Sequence, residues 1–312
     1  MSTKGIANIS SWLVLPVLFA AFFAIRAMTL GQGVDPSWFT LSFLGAMILV
    51  EWLLRYERAV SQRPVLVRDI LSTAVNLYLT GVLASMVFLA VLSGLPEFFF
   101  GRRLVFASPR LLGPVWLQIP IIMLAVSLFR YWLHRLQHSV PFLWELHSYH
   151  HRVTDVRTSN LFVSHPFDYA LRNILVFVVL ALIGFNRFAI FVALAPLQVS
   201  AAFSHCGGDV KGGVFNYFFA TPEVHRWHHS AKVPDGHKYS VNYGVELSIW
   251  DLVFGTFYLP MRNGVPEQPE RMGHPGGLPD EPNYLKLLLA PLGVYRLLGW
   301  FSGRRDAVRV EG

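Results

Sequence analysis

H-R-L-Q-H-S-V-P-F-L-W-E-L-H-S-Y-H-H, residues 134–151, holds five histidines in eighteen residues and begins where a long apolar segment ends. A second cluster, His225-Arg226-Trp227-His228-His229, answers it later in the chain. His134 and His138 are spaced i, i+4, which stacks them on one face of a helix. His147, His150 and His151 are spaced i, i+3, i+4, and His225, His228 and His229 repeat that pattern. At about 100° per residue each triad covers an arc of about 100°, again one helical face. Packing does not explain two such arrays of imidazoles beside apolar spans.

Imidazole suits zinc, copper, iron and nickel. Eight imidazoles are too many for one tetrahedral zinc, which takes about four ligands. The number fits two metal ions held between several helices. The zinc-protease pattern H-E-x-x-H is absent, as are the E-x-x-H pairs of soluble carboxylate di-iron bundles.

The rest of the 312 residues fit a membrane setting. Hydrophobic residues make up 54 % and charged residues 14 %, against about 25 % charge in soluble domains. Mean hydropathy is +0.44. The net charge of +7 lies in short arginine patches between apolar runs, which suits anionic lipid headgroups and not nucleic acid. The one cysteine, Cys206, excludes an intrachain disulfide framework and any cysteine-based metal cluster.

The apolar runs 11–30, 38–54, 70–95 and 111–129 are each read as spanning about 30 Å of hydrocarbon. The first lacks a small-residue cleavage site and is expected to be retained. Arg55, Arg58, Arg63 and Arg68 place the loop after the second span in the cytoplasm, and with it His134. Arg102, Arg103 and Arg110 lie on the other side and oppose that orientation. Arg26 and Glu51, inside apolar runs, are expected to snorkel to opposite headgroup layers. Residues 171–203, interrupted at Gly184-Phe185-Asn186-Arg187, predict a re-entrant or interfacial helical hairpin whose ends return to the histidine side.

The expected fold is therefore all-α and integral to the membrane. It has about four transmembrane helices, a re-entrant or interfacial hairpin and a cytoplasmic histidine-rich helical cap. Residues 1–133 form the transmembrane helices, and 134–262 the di-metal catalytic region that includes the hairpin. Residues 263–312 form a Pro- and Gly-rich linker and a C-terminal membrane-associated segment.

H-R-x-x-H, H-x-x-H-H and H-x-x-H-H in this order after apolar spans resemble the fatty acid hydroxylase / sterol desaturase superfamily of integral-membrane oxygenases. Asn242-Tyr243-Gly244, Trp250-Asp251 and Phe254-Gly255-Thr256 look like that family's closing signature, and the likeness covers roughly 116–259. It implies a non-haem centre of two iron ions that uses O2 and two electrons to hydroxylate or desaturate a lipid C–H bond. The implied metal ligands are His134, His138, His147, His150, His151, His225, His228 and His229, with His205 as a further one. Where some members carry another histidine this chain has Asp209, placed either on the metal or beside a ligand. Glu223 and Asn242 are expected to orient metal-bound imidazoles, with Glu145, Asp155 and Asp168 as further candidates, and His165 is expected either to do the same or to serve structurally. Trp132, Trp144, Tyr149 and Trp227 are read as interface anchors and packing.

His274-Pro-Gly-Gly277 looks like a cytochrome b5 haem loop, but no histidine follows to supply the second axial ligand. No G-x-G-x-x-G loop follows a strand either, so a separate electron-donor protein is implied. Its partners are thus that donor, a membrane lipid substrate and the bilayer. The preferred setting is a bacterial inner membrane, with the endoplasmic reticulum as the other option and the active site in the cytoplasm. The alternatives are a membrane metal or ion transporter with a cytosolic histidine site, and a haem-bearing electron carrier with axial histidines in its spans.

Overall fold

The computed structural model describes residues 63–88 and 112–289, together with Val17, Ala20, residues 45–49, Glu51 and Ala90. Most of the first and second expected spans, Arg26 and the arginines at 55, 58, 102, 103 and 110 lie outside the described residues. What is described is mostly helical, with one two-residue antiparallel ladder, β1 (Met261–Arg262) against β2 (Val265–Pro266).

Four long helices carry the apolar half: α1 (Arg63–Phe88), α2 (Val115–Ser139), α4 (Pro166–Ile183) and α5 (Arg187–Ser204). Among the described residues α2 is long and apolar enough to cross a membrane. It continues past the apolar run expected at 111–129, so His134 and His138 ride on its last turns. α1 packs along α4, and α2 along α5. Ile122 and Val126 of α2 meet Val176 and Leu180 of α4 and Ala189, Ala193, Leu194 and Leu197 of α5. The two alanines let the α2 and α5 backbones approach closely, as small residues do between membrane helices.

The break at Gly184–Asn186 is a true helix–helix turn. Gly184 has φ +89, a conformation glycine adopts without a Cβ penalty. The Asn186 side chain caps α5 by accepting from Phe188 N and Ala189 N. Gln118 of α2 closes the turn by accepting from Asn186 N at 2.9 Å. α4 starts earlier than its apolar stretch suggests, because Pro166 fits a first helical turn and Asp168 faces inward. Its 18 residues extend about 27 Å at about 1.5 Å per residue, longer than the arm expected from 171.

The cap is built from short pieces: α3 (Pro141–His147), 3-10 turns at His150–Arg152, Thr158–Asn160 and Gly213–Tyr217, α6 (Pro222–His228) and α7 (Ile249–Val253). Polar groups tie it to the long helices. Ser72, Asn76 and Thr80 of α1, spaced i, i+4, i+8, are buried. Asn76 Nδ2 donates to Phe162 O at 2.7 Å and Ser164 O at 3.0 Å, and Ser72 Oγ to Phe162 O at 2.8 Å. The opposite face, with Leu66, Ile70, Tyr78, Val82 and Met86, is exposed and apolar. Arg130 of α2 pairs with buried Glu246 and donates to Asn173 of α4. Ser200 of α5 donates to Glu246 O.

Two charges behave differently from their sequence reading. Arg68, counted among the loop arginines, is 1 % exposed. It is neutralised by Asp69 and by Asp280, so it carries no orientation signal to a lipid surface. Glu51 does not snorkel to a headgroup layer. Its carboxylate accepts from Thr158 N at 2.9 Å and lies over Gly207, where a Cβ would sit 2.9 Å from Glu51 Oε1.

The Pro- and Gly-rich stretch after β2 is stapled to the cap. Trp227 Nε1 donates to Glu267 O, Ala231 N to Arg271 O and Gly273 N to His229 O. α8 (Tyr284–Leu289) then buries Leu287 against Tyr149, Val153 and Val163, and the residues after 289 lie outside the described ones. Replacing Asn76 by Leu keeps the branched heavy-atom shape but leaves Ser164 O unpaired and Phe162 O with one donor. The expected cost is about 1–3 kcal/mol, read as a lower thermal midpoint in detergent, whereas Ser72→Ala, which leaves Asn76 on Phe162 O, costs less.

Candidate metal centre

Nine of the chain's twelve histidines converge into two adjoining groups. One holds His134, His138, His147, His151 and His228, and the other His150, His205, His225 and His229. In each group the candidate ligand atoms all lie within 4.8 Å of one another, and every ring is buried. The His134 and His147 rings are 4.9 Å apart, and those of His151 and His228 4.7 Å. The groups abut one another, since His151 stacks on His229 at 4.5 Å and His225 on His228 at 5.4 Å.

Neither H-x-x-H-H triad stays together. His147 and His151 enter one group and His150 the other; His225 and His229 enter one and His228 the other. Helix geometry gives the reason. Residues i and i+4 differ by about 40°, whereas i+3 falls about 60° to the other side of i. The i, i+4 pairs therefore reach the same point, as His134 and His138 also do, and each i+3 residue aims at the neighbouring point. The helices do not run on unbroken: α3 ends at His147 and a 3-10 turn carries His150 and His151, while His229 caps the end of α6.

The ring tautomers follow from partners that only accept. His134 Nδ1 donates to Tyr243 O at 2.8 Å, His228 Nδ1 to Val241 O at 2.8 Å, and His150 Nδ1 to Val163 O at 3.0 Å. His147 Nδ1 meets the Asp168 carboxylate at 3.3 Å. Each of these four rings is thus left with a bare lone pair on Nε2. The lone pairs of His134 and His147 face each other across 3.1 Å, a contact that two acceptors do not hold by themselves. His228 Nε2 lies 3.1 Å from His151 Nε2, and buried His138 Nε2 has no hydrogen-bond partner. A metal–imidazole bond of about 2.1 Å sets neighbouring ligand nitrogens about 3 Å apart. The donor set fits transition-metal ions, and neutral imidazoles suit iron among them.

Burial and then the neighbouring imidazoles keep these rings neutral. Both effects push His150, His151, His225 and His229 well below the usual imidazole range. Burial takes His205 and His228 to about 3. His147 is lowered less, because Asp168 opposes the burial. The Asp168 carboxyl is itself buried, which favours its neutral form, yet Arg172 and His147 hold it below the ordinary carboxylate range.

The expected orienting residues divide sharply. Asp168 fills that role, held by Gln137, Ser164 and Arg172. Asn242 touches no metal-facing nitrogen but fixes the two carbonyls that do the orienting. It sits at φ +54 between Val241 and Tyr243, donates to Val224 O and Tyr258 O, and accepts from Tyr258 N. Glu223 is buried yet belongs to neither group; its carboxylate accepts from Gly212 N and Asn216 Nδ2 and braces that loop. His165 lies apart, between Leu288 O and Phe167 N, and anchors the C-terminal helix. Asp209, 48 % exposed at its side chain, pairs with Lys211 at 2.8 Å and joins neither group. Asp155 pairs with Arg157, and Glu145 is exposed.

Sequence reasoning missed the backbone carbonyls of Val163, Val241 and Tyr243, which have no side-chain signature. It also left Asp251 without a role. Buried Asp251 accepts from Tyr243 N at 2.6 Å, Gly244 N at 2.8 Å and Thr256 Oγ1 at 2.7 Å, and so sets the carbonyl that His134 uses. The approach is so close that a Cβ on Gly244 would lie 2.3 Å from Leu247 O. The Asn-Tyr-Gly and Trp-Asp signatures were the available signal.

Residues 119–256 match the fatty acid hydroxylase family. Ornithine lipid hydroxylase OlsE of Rhizobium tropici is 32 % identical over 149 residues, 48 % of this chain and 44 % of that protein. Alkylglycerol monooxygenase of Homo sapiens is 29 % identical over 43 % of this chain and 29 % of its own length. Sphinganine C4-monooxygenase 2 of Arabidopsis thaliana is 29 % identical over 46 % and 54 %. The chain therefore spans about half, or less, of these relatives. No solved structure matches.

Two outcomes test this geometry. Asp168→Asn removes the charge behind His147 and should weaken metal retention by about 10–100-fold, measured by metal analysis after graded chelator challenge. The cap should also loosen in acid. Its imidazoles have values below about 6.5, the unfolded value, so the unfolded chain binds more protons below that pH. Stability is full above about pH 6.5 and falls as pH drops towards about 3, where His205 and His228 protonate in place. Thermal midpoints of metal-free protein at pH 7.5 and 5.5 should differ in that direction.

Proposed function

We propose that the protein is an O2-dependent membrane lipid oxygenase, a hydroxylase before a desaturase, working through two iron ions held by the nine imidazoles. The observation that carries this reading is the pair of buried imidazole groups, in one of which the Nε2 lone pairs of His134 and His147 face each other. In the relatives' printed names hydroxylase and monooxygenase recur, and nothing there favours the transporter alternative.

When bound, the irons would supply the capacity to bind and reduce O2. The overall change is R–H + O2 + 2 electrons + 2 H⁺ → R–OH + H2O. The chain's own contribution is geometry and exclusion of water. Val163 O, Val241 O, Tyr243 O and Asp168 hold four rings in one tautomer, so no rotation or proton shift is needed when metal binds. Tyr243, 3 % exposed, packs its ring 5.4 Å from His138 and 5.9 Å from His228 and shuts solvent out from that side. α2 joins the site to the bilayer: Trp116, Leu117, Ile121 and Leu124 present an exposed apolar surface, and the same helix ends in His134 and His138. A lipid entering sideways along that helix would bring a C–H bond to the histidines without crossing water.

On this reading four helices span the membrane, the α4–α5 hairpin dips in from the histidine side, and the active site faces the cytoplasm. Residues 1–133, 134–262 and 263–312 remain the proposed divisions, and a bacterial inner membrane the proposed setting. A separate protein supplies the electrons.

Purified protein should carry about two irons per chain, lost together in His147→Ala or in His228→Ala, because His147, His151 and His228 share one group. In a host membrane, lipids with one added oxygen should appear with the intact chain and vanish with either variant. Metal-free protein that still altered lipids would sink the reading.

A further inference from the structure

Trp144 stands between the metal centre and the surface of the cap. On its inner side its ring lies 5.0 Å from His138, 5.4 Å from His151 and 6.4 Å from His147, three of the five imidazoles of one group. On its outer side it meets His274 at 5.3 Å, tilted by 39°. Trp144 and His274 are both half-buried, so the ring pair runs from the buried histidines to solvent. His274 is held there by the staples that bind its segment to the histidine-bearing turn: Gly273 N to His229 O, Ala231 N to Arg271 O, and the bridge of Ser230 with Met272.

Cationic side chains stand beside that opening. Arg271 and Lys232 are exposed on the two stapled segments, and Arg152, half-buried, acts electrostatically on His274. Glu270 on the same stretch, Asp235 beyond Lys232 and Glu145 beside Trp144 are exposed acids. We propose that this rim docks an acidic one-electron carrier protein and that His274 and Trp144 carry its electrons to the imidazole group. The proposal rests on the metal reading above. Each transfer oxidises the carrier by one electron and reduces the metal group by one, with no bond made or broken. Two transfers supply the two electrons that the hydroxylation consumes. Tunnelling decays steeply with distance, and rings in contact shorten the path through an otherwise closed cap. Long-range attraction between the cations of the rim and an acidic carrier would speed the encounter and be screened by salt.

The test uses the purified full-length chain in detergent, loaded with iron and oxidised, with reduced [2Fe–2S] ferredoxin as the carrier and dithionite as a small reductant. Trp144→Leu should slow reduction by ferredoxin at least several-fold while leaving iron content and reduction by dithionite unchanged, and Trp144→Phe should restore most of the rate. His274→Ala should behave as Trp144→Leu does. Arg152→Glu with Arg271→Glu should weaken ferredoxin binding by about tenfold at low salt, also in metal-free protein, where no turnover is involved. Wild-type rates in Trp144→Leu, equal slowing with dithionite, or no ferredoxin reduction of the wild type would overturn the proposal while leaving the metal reading intact. A wild type that takes up no iron would overturn both.

Discussion

Nine neutral imidazoles buried together, with the lone pairs of His134 and His147 aimed at each other, are the constraint on which the rest of this structure depends. Facing acceptors at about 3 Å repel unless a cation sits between them. The fold holds them in place by gripping the other ring nitrogen. Three backbone carbonyls and one carboxylate take Nδ1 hydrogens, and further residues exist to hold those acceptors. Asp251 fixes the turn at Tyr243 and Gly244, Asn242 clamps the carbonyls on either side of it, and Arg172, Ser164 and Gln137 hold Asp168. Two layers of hydrogen bonding therefore stand behind the metal-facing nitrogens.

The division of the histidines makes the centre cooperative. Each H-x-x-H-H triad lends its i, i+4 pair to one group and its i+3 residue to the other. Neither motif completes a group alone. One group needs α2, α3, the turn after it and α6 docked together, and the other needs that turn, the end of α5 and α6. This ties metal affinity to the packing of helices far apart in the chain, as expected when a site forms only in the folded state.

The same arrangement suits the membrane setting proposed above. α2 is apolar along most of its length and polar at its end, so one rigid element runs from an exposed apolar surface to the histidines. α1 turns Ser72, Asn76 and Thr80 inward and its apolar residues outward, the reverse of a soluble core helix. Arg130 and Glu246 bury an ion pair where α2, α4, α5 and the cap loop meet. Breaking one partner there would strand a charge in a dry setting. The stretch after β2 closes the cap from the water side and brings His274 onto Trp144.

The histidine spacings by themselves pointed to clustered imidazoles able to hold metal, close to the end of an apolar helix. Those conclusions rest on residue type and short-range periodicity, which a sequence displays directly. The break at Gly184–Asn186 likewise announced a helical turn, because glycine and an asparagine cap act locally. Only the tertiary structure decided which imidazole joins which group, since that depends on where helices end and how they cross. It also decided the roles of the acids: Asp168 reaches an imidazole while Asp209 turns to solvent, and Arg68 and Glu51 find partners distant in sequence. The carbonyls that set the tautomers could not be read beforehand, for every residue carries one and only folding determines where it points.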